Sequence, residues 1–313
     1  MPNPPRRRLI LDCSALLPGP LAGKLLAQQG ARVLKIESPE RPDPAREMGN
    51  GIYYRDLNAL KELIWISLIE PEGRARFHEL VRQADGLIEG FRPQAKLKLG
   101  LDEATLHAVN PKLCILSLVG FPEDGPSRDR AGHDINFQAL TGCLSLFEEL
   151  PGLPLADLLS AYEGALSLSC AIDLASRQNG RGKRCVVSMT DTLKGAQSKF
   201  AAEYRETRDL PIHGQTLITG RHPSYQIYRS RDGKRIAVGA LESKFWHRVC
   251  DILALPALRD LGQSTGEISK LAQSQVQAAL ALQDWAHWAP LFEAADCCVD
   301  PVLDYSEVFK DGI

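Results

Sequence analysis

The sequence lacks the features that identify several large classes of protein. Its 313 residues carry a formal net charge of −2 with Lys and Arg scattered throughout, so it has no basic stripe to neutralise nucleic-acid phosphates. The first apolar run, residues 9–11, is too short for the core of a signal peptide. The most hydrophobic stretch, residues 153–174, contains three acidic residues, which are costly inside a bilayer. We therefore expect a cytoplasmic protein without nucleic-acid or membrane partners.

The eight cysteines lack the paired CxxC spacing of zinc sites and the density of a disulfide framework. Most lie inside apolar segments, where a free thiol behaves as a small hydrophobic group. The sequence therefore predicts no metal site, and it predicts reduced, buried thiols at Cys13, Cys114, Cys143, Cys170, Cys185, Cys250, Cys297 and Cys298.

The first third of the chain alternates strand-like and helix-like segments. Short loops between such segments predict βαβ units around a parallel sheet. A long apolar helix over residues 156–177 and a strand over 185–188 complete a large Rossmann-like domain, residues 1–200. The earlier segments are strands at 9–13, 32–36, 63–68, 86–89 and 113–119, with helices at 20–29 and 73–83.

The rest of the chain has a different pattern. Residues 201–222 are polar and predict a linker. Two strand-like runs then flank Asp232-Gly233, a turn signal that predicts a β-hairpin. We expect a small α+β domain over residues 223–300 and a C-terminal segment, 301–313, that returns toward the large domain. The fold class is therefore α/β with a second, smaller domain.

The turn after the first strand, residues 16–20, invites comparison with dinucleotide-binding proteins, especially because Glu37 ends the next strand. Gly19 and Gly23 do not form a GxGxxG pattern, which normally allows the backbone to approach a pyrophosphate. An NAD or FAD site is therefore disfavoured.

Three ionisable residues are candidates for chemistry, and each also has a structural explanation. His133 follows a polar loop and could exchange protons near neutral pH, or cap a helix. Asp157 begins the long helix. Its structural explanation is that the helix dipole favours a carboxylate there, and its functional explanation is a role as base or nucleophile. Glu242 lies at the start of a helix in the small domain. It either caps that helix or orients a catalytic histidine. The residues alone leave both explanations open.

Taken in order along the chain, several short motifs resemble class III CoA-transferases, the CaiB/BaiF group that includes the α-methylacyl-CoA racemases. Each motif is weak alone, but their shared order covers nearly the whole chain. The motifs are Leu17-Pro18-Gly19-Pro20, residues 30–37, Glu89-Gly90-Phe91-Arg92-Pro93, Gly132-His133-Asp134, Gly180-Arg181-Gly182 with Ser188-Met189, and residues 228–242.

The resemblance implies an interlocked homodimer of ring-like chains, with an active site at the interface and CoA bound as part of the substrate rather than as a separate cofactor. It implies two possible roles for Asp157. The matching aspartate forms an acyl anhydride in the transferases and is one of two acid/base groups in the racemases. A histidine at the position of His133, partnered by a glutamate at Glu242, is characteristic of the racemase branch. The CoA-binding candidates are Lys35, Lys61, Arg92 and Asp134.

The chain departs from this pattern at two positions. Many racemases carry arginine where this chain has Ser38, and Glu62 replaces another arginine in a segment that grips CoA phosphates. Relatives also continue beyond the position of Ile313 with a tail that packs on the dimer, so we expect a naturally short member or a missing tail.

Three hypotheses follow for the function. The first is a 2-methylacyl-CoA racemase or epimerase, the second is a CoA transferase acting through an aspartyl anhydride, and the third is a non-catalytic homologue with altered CoA binding. The first is favoured because His133, Asp157 and Glu242 occur together.

Overall fold

The computed structural model describes residues 6–177 and 180–310, which form two compact units. The first unit contains residues 6–144 and 151–202, and the second contains residues 145–150 and 203–310. The predicted linker, residues 201–222, begins inside a helix, Ser198–Thr207.

The first unit contains a six-stranded parallel sheet with the strand order β3-β2-β1-β4-β5-β6. Central strands β1 and β4 are buried along their whole length, as strands covered on both faces must be. This order is that of doubly wound dinucleotide-binding domains, so the predicted Rossmann-like parallel sheet is confirmed. The strands are β1 (Leu9–Asp12), β2 (Arg32–Glu37), β3 (Glu62–Trp65), β4 (Gly86–Glu89), β5 (Cys114–Val119) and β6 (Arg184–Ser188).

Helices connect and cover these strands. Three of them begin with proline, which is tolerated in the first turn because the N–H it lacks would have no helical acceptor there. The helices are α1 (Pro18–Gln28), α2 (Ile52–Asn58), α3 (Pro71–Gln83), α4 (Pro93–Leu99), α5 (Glu103–Val109), α6 (Asp134–Leu140), α7 (Leu155–Arg177), α8 (Met189–Ala196) and α9 (Ser198–Thr207), with short 3₁₀ turns at Pro44–Arg46, Met48–Gly51 and Cys143–Leu146.

Helix α7 is the longest of these and packs on the centre of the sheet. By length and composition it could span a membrane. Its small residues Ala161, Gly164 and Ala165 are buried in the core of the first unit, and a Cβ at Gly164 would lie 2.9 Å from Leu116 of β5. The small side chains therefore let α7 lie close to β5 as a core helix.

The turn between β1 and α1 has a steric requirement for glycine. A Cβ at Gly19 would lie 2.1 Å from Ser14 Oγ, far inside van der Waals contact. This turn follows the carboxyl end of β1, beside the point where the strand order reverses, and ligands commonly bind in that crevice of doubly wound sheets.

A buried ion pair lies under the same turn. Lys61 Nζ donates to Asp12 Oδ2 at 2.7 Å, to the Pro20 carbonyl at 2.7 Å and to Asn58 Oδ1 at 2.9 Å. Burial opposes ionisation of Asp12, but the nearby charges of Lys61 and Lys35 outweigh it and lower the pKa of Asp12 to about 2. The pair ties β1 to α1 and α2.

The second unit contains the antiparallel sheet β7-β8-β9, and its hairpin is confirmed. Gly233 in the hairpin turn has φ = 80°, a conformation that glycine adopts without strain. Trp246 and Trp288 fill the core, and their indole N–H groups donate to the Leu258 and Leu280 carbonyls. The elements are β7 (Tyr225–Arg229), β8 (Arg235–Gly239), α10 (Ser243–Ile252), α11 (Gly266–Leu280), α12 (Trp285–Ala295), β9 (Val299–Pro301) and α13 (Tyr305–Val308), with a 3₁₀ turn at Pro256–Leu261.

Two expectations about the remaining residues need comment. Residues 301–310 belong to the second unit, where Glu307 pairs with Lys234 at 2.6 Å; residues 311–313 of the predicted returning segment lie outside the described residues.

The expectation that all cysteines are buried is wrong for Cys170 and Cys298, which are exposed on α7 and next to β9. Cys170 lies on the face of α7 that points away from the sheet, so periodicity alone misplaced it.

The Lys61–Asp12 pair should contribute strongly to stability. Replacing Lys61 with Met leaves the Asp12 carboxylate buried without its counter-charge, and we expect the free energy of unfolding to fall by about 3–5 kcal/mol. Urea denaturation followed by circular dichroism measures the change. Because the pKa of Asp12 is lowered on folding, its own contribution is present above about pH 4 and declines as the pH falls toward about 2.

The control is Lys24→Met, because Lys24 pairs at 2.8 Å with Asp56, whose side chain is 67% exposed. Such an exposed pair contributes at most about 1 kcal/mol. Equal losses in the two variants would contradict a structural role for the buried pair.

Candidate active site

A cleft opens at the carboxyl ends of β1, β4 and β5 in the first unit. Its volume is about 480 Å³, and its walls come from the turn after β1, from residues 90–93, 118–121 and 130–133, from Glu123 and Arg128, and from the start of α7. The cleft therefore lies at the reversal of strand order, where the fold leads one to expect a ligand. The side chains that matter for chemistry are His133, Asp157 and Arg92, and the apolar wall includes Phe121, Phe137 and Met189.

His133 is the residue directly before α6, and it is exposed to solvent. It precedes the first helical residue, and its backbone N–H donates to Asn136 Oδ1 at 3.0 Å while its carbonyl accepts from the Asn136 N–H at 2.8 Å. The backbone of His133 therefore caps the helix, and the residue also lines the cleft. The capping and catalytic explanations for this position are compatible.

Asp134 joins the start of α6 to the start of α7. Its Oδ1 accepts hydrogen bonds from the backbone N–H groups of Ala156 at 2.7 Å and Asp157 at 3.1 Å. Its Oδ2 accepts from Gln138 Nε2 at 2.5 Å. A carboxylate at this position satisfies N–H groups that have no acceptor within α7 and interacts favourably with the helix dipole. Asp134 thus brings His133 and Asp157 to one cleft, and its predicted contact with CoA stays a prediction.

Asp157 is a half-buried carboxyl group in the first turn of α7. Burial raises its pKa, the negative charge of Asp134 raises it further, and the result is a pKa of about 7. At neutral pH the protonated and ionised forms are therefore both populated. A group with such a pKa can donate and accept a proton under the same conditions.

Three arginines supply positive charge to the wall of the cleft. Arg92, which follows β4, is exposed and lines the cleft together with Arg128 and Arg130. The Arg130 guanidinium lies 5.9 Å from the centre of the Phe121 ring. These guanidinium groups suit an anionic ligand, since arginine binds phosphate and carboxylate groups readily.

The predicted CoA-binding lysines occupy interior positions. The Lys61 ammonium donates hydrogen bonds to Asp12, Pro20 and Asn58. The buried Lys35 ammonium donates to the Ser14 carbonyl and to Asp43 Oδ2. In this structure both lysines hold the β1–α1 region together. Their contact with a CoA phosphate stays a prediction.

Glu62, which replaces an arginine of the family pattern, is already paired. Both of its carboxylate oxygens accept hydrogen bonds from Arg32, at 2.8 Å and 2.7 Å. The neighbouring guanidinium offsets the negative charge that replaces an arginine at this position. Ser38 donates a hydrogen bond to Glu40.

Glu242 lies in the second unit, where it is exposed and directly precedes α10. Its carbonyl accepts from the backbone N–H groups of Phe245 and Trp246, whereas its side chain makes no capping hydrogen bond. The side-chain capping explanation is therefore wrong for this glutamate. Its partnership with His133 stays a prediction.

Sequence reasoning missed the apolar wall of the cleft. Phe91, Phe121 and Met189 follow the carboxyl ends of β4, β5 and β6, and Phe137 contacts Phe121 edge to face at a ring distance of 5.4 Å. Their position directly after parallel strands was the available signal, because ligands bind at that edge of doubly wound sheets.

The charge of Asp134 should control the acidity of Asp157. Asp134→Asn removes the charge and keeps an oxygen able to accept from the start of α7, so the pKa of Asp157 should fall below about 7. Burial remains, so the pKa should stay above the ordinary 3.8. Carbon-13 NMR titration of the Asp157 carboxyl group measures the change without any substrate.

Glu163→Gln provides the control, because Glu163 is an exposed acid on the same helix that does not contribute to the shift. It should leave the titration of Asp157 unchanged. An unaltered Asp157 pKa in Asp134→Asn would disprove the electrostatic coupling.

Comparison with known proteins gives a consistent result. The sequence profile of CoA-transferase family III matches residues 8–312. Human alpha-methylacyl-CoA racemase is 30% identical over 307 residues, which cover 96% of this chain and 78% of the racemase. Succinate–glutarate CoA-transferase of Agrobacterium fabrum is 31% identical over 284 residues, which cover 83% of this chain and 70% of that enzyme.

The fold is also found among solved structures. A CaiB/BaiF family protein from Brucella suis superimposes with a TM-score of 0.79 at 23% identity, covering 97% of this chain and 85% of that protein. This likeness supports the fold, whereas the two enzymes above differ in reaction although their identities to this chain are nearly equal.

Proposed function

The chain belongs to CoA-transferase family III, and from this premise we propose that it is an acyl-CoA-processing enzyme that racemises or epimerises 2-methylacyl-CoA thioesters. The observation that carries the proposal is the presence of His133 and Asp157 in one cleft. A reversible proton exchange at carbon requires two acid/base groups at one site, and an imidazole and a carboxyl group are both able to fill that role.

The chemistry needs two bases and one site for negative charge. One of the two residues removes the α-proton of the thioester, which gives an enolate, and the other returns a proton to the opposite face. Asp157 is suited to both directions because its pKa is about 7. Backbone N–H groups at a helix N-terminus would stabilise the enolate oxygen.

The remaining candidates have supporting roles in this proposal. Arg92 lines the cleft and would receive an anionic part of the CoA group. Glu242 would orient the imidazole of His133, as a carboxylate does for a histidine base in other enzymes.

Solvent isotope uptake tests the proposal directly. One epimer of a 2-methylacyl-CoA incubated with the wild-type enzyme in deuterated water should gain one deuterium at the α-carbon, detected by mass spectrometry. His133→Ala and Asp157→Ala should each slow uptake by about 10²- to 10⁴-fold, because each removes an acid/base group.

Matched controls are His287→Ala, which removes an exposed histidine of the second unit, and Glu163→Ala, which removes an exposed acid of α7. Both should retain wild-type uptake. Absence of label with every branched acyl-CoA tested would refute the racemase proposal.

The second candidate is CoA transfer through Asp157, which is favoured by the similarity to a CoA-transferase and by a half-buried carboxyl group in the cleft. The carboxylate would attack the thioester carbonyl, expel CoA as the thiolate and form a mixed anhydride. Hydroxylamine should then trap an acyl group on Asp157 and convert it to the hydroxamate. If the protein turns over substrate without a trappable intermediate, this route is excluded. If the protein fails to bind CoA, the non-catalytic hypothesis is supported.

We also infer that the enzyme functions as a homodimer. The face of α7 that points away from the sheet exposes four large apolar side chains, Leu159, Tyr162, Leu166 and Leu174. Such a contiguous apolar surface is typical of an interaction site. The interlocked arrangement is part of this proposal.

Light scattering after size exclusion should give a mass near twice the 34.4 kDa of one chain. Leu166→Glu places a charge in the exposed apolar face and should shift the mass toward the monomer. Leu282→Glu is the control, since Leu282 is as exposed as Leu166, at 68% and 66%, but lies in the second unit. A monomeric wild-type protein would contradict the inference.

A further inference from the structure

A closed network of hydrogen bonds lies beside the cleft in the first unit. Its members are four charged side chains and one serine from four different elements and one loop. We call it the Glu123 ring, and it consists of Glu89, Lys96, Ser117, Glu123 and Arg184.

Each member of the ring contacts the next. Glu123 Oε2 accepts from Arg184 Nη1 at 2.7 Å, and Arg184 Nε donates to Ser117 Oγ at 2.8 Å. Ser117 donates in turn to Glu89 Oε1. Lys96 Nζ closes the ring, donating to Glu89 Oε1 at 3.3 Å and to Glu123 Oε1 at 3.1 Å. The network therefore links strands β4, β5 and β6 with α4 and with the loop after β5.

The ring balances its charges. Two carboxylates meet one ammonium and one guanidinium, and Arg184 contacts both oxygens of Glu123. The hydrogen bonds from Arg184, and then those from Lys96, outweigh burial and lower the pKa of Glu123 to about 2. Glu123 is therefore ionised throughout the neutral range. Buried ion networks are stable when every member has a partner.

The loop that begins near Glu123 ends at His133. Three successive turns lie between them, closed by hydrogen bonds from the Gly125 N–H to the Pro122 carbonyl, the Arg128 N–H to the Gly125 carbonyl and the Arg130 N–H to the Ser127 carbonyl. The hydrogen bonds within the loop are thus those of local turns, and at its far end Gly132 lies against Phe137 of α6. Besides the Phe121–Phe137 ring contact, Glu123 is its charged attachment to the sheet.

We propose that Glu123 is a positioning residue for His133: by joining the start of the loop to Arg184 and Lys96, it holds the loop on the sheet and complements Asp134 in fixing His133 relative to Asp157. The inference rests on the proposed proton exchange, because it concerns the same site. Displacement of a reacting group by about 1 Å can reduce the rate by about 10²-fold, so a loop held at one end by an ion-paired ring would matter to catalysis.

The first test separates catalysis from binding. Glu123→Gln should lower kcat for deuterium uptake by about 10- to 100-fold and change KM by less than about threefold, since the amide has the shape of the carboxyl group that Glu123 contributes to the cleft wall. Arg184→Met opens the ring from its far side and should reproduce the loss. Arg184→Lys keeps one charge and should recover part of the rate.

The matched control is Asp124→Asn, which removes one acid from the next position of the same loop, where the side chain is exposed and outside the ring. It should retain wild-type kcat. Double replacement of Glu123 and Arg184 should cost no more than the larger single change, because both remove the same connection.

Hydrogen exchange of the backbone amides gives a readout that needs no substrate. Residues 124–133 should exchange faster in Glu123→Gln and Arg184→Met than in the wild type or in Asp124→Asn, while the sheet strands keep their protection. If the wild type shows no α-proton exchange, the proposed function fails and this measurement still decides the inference.

Unchanged loop protection in Arg184→Met, or loss of protection throughout the first unit, would overturn a positioning role. The second outcome would identify the ring as a general structural element. Arg184→Lys preserves the charge balance and provides a folded variant for the same comparison if Arg184→Met does not fold.

Discussion

The carboxylate of Asp134 is the interaction on which the candidate site depends. It accepts hydrogen bonds from two backbone N–H groups at the start of α7 and from the Gln138 side chain of α6. A helix start has several N–H groups without acceptors, and a carboxylate is their most favourable partner. The same negative charge, after burial, raises the pKa of Asp157. One side chain therefore sets the position of two helices and the acidity of the group that begins the second.

Two groups of ion-paired side chains, one buried and one partly buried, stabilise the loops around the cleft. The Lys61–Asp12 pair lies under the turn after β1, and the Glu123 ring lies beside the loop after β5. Both use charges that are paired and hydrogen-bonded, which is the condition for keeping ions away from water. The loops of a doubly wound sheet carry its ligand site, and here each of these two loops is attached to the sheet by ion pairs as well as by apolar contacts. The cleft is therefore shaped before any substrate arrives.

The composition of the cleft wall agrees with an acyl-CoA substrate. Phe121, Phe137 and Met189 offer an apolar surface to an acyl chain, while Arg92 offers a cation to an anionic group. Asp157 lies where the two kinds of surface meet the start of α7, next to the Asp134 carboxylate. Racemases and CoA transferases both need a carboxyl group near a thioester, and the enzymes similar to this chain include both. Asp157 and His133 both line the cleft, which is the observation on which the proposed proton exchange rests.

The sequence by itself determined the architecture and the identity of the main candidates. Continuous apolar runs such as β1 and β4 require burial on both faces, the Asp232-Gly233 turn requires a hairpin, and the ordered motifs named His133, Asp157 and Glu242. Only the tertiary structure decided what Asp134, Lys61 and Glu123 do. Their partners lie 22, 49 and 61 positions away along the chain, at Ala156, Asp12 and Arg184. Periodicity and turn signals report local preferences, whereas a buried charge is defined by the partners that folding brings to it.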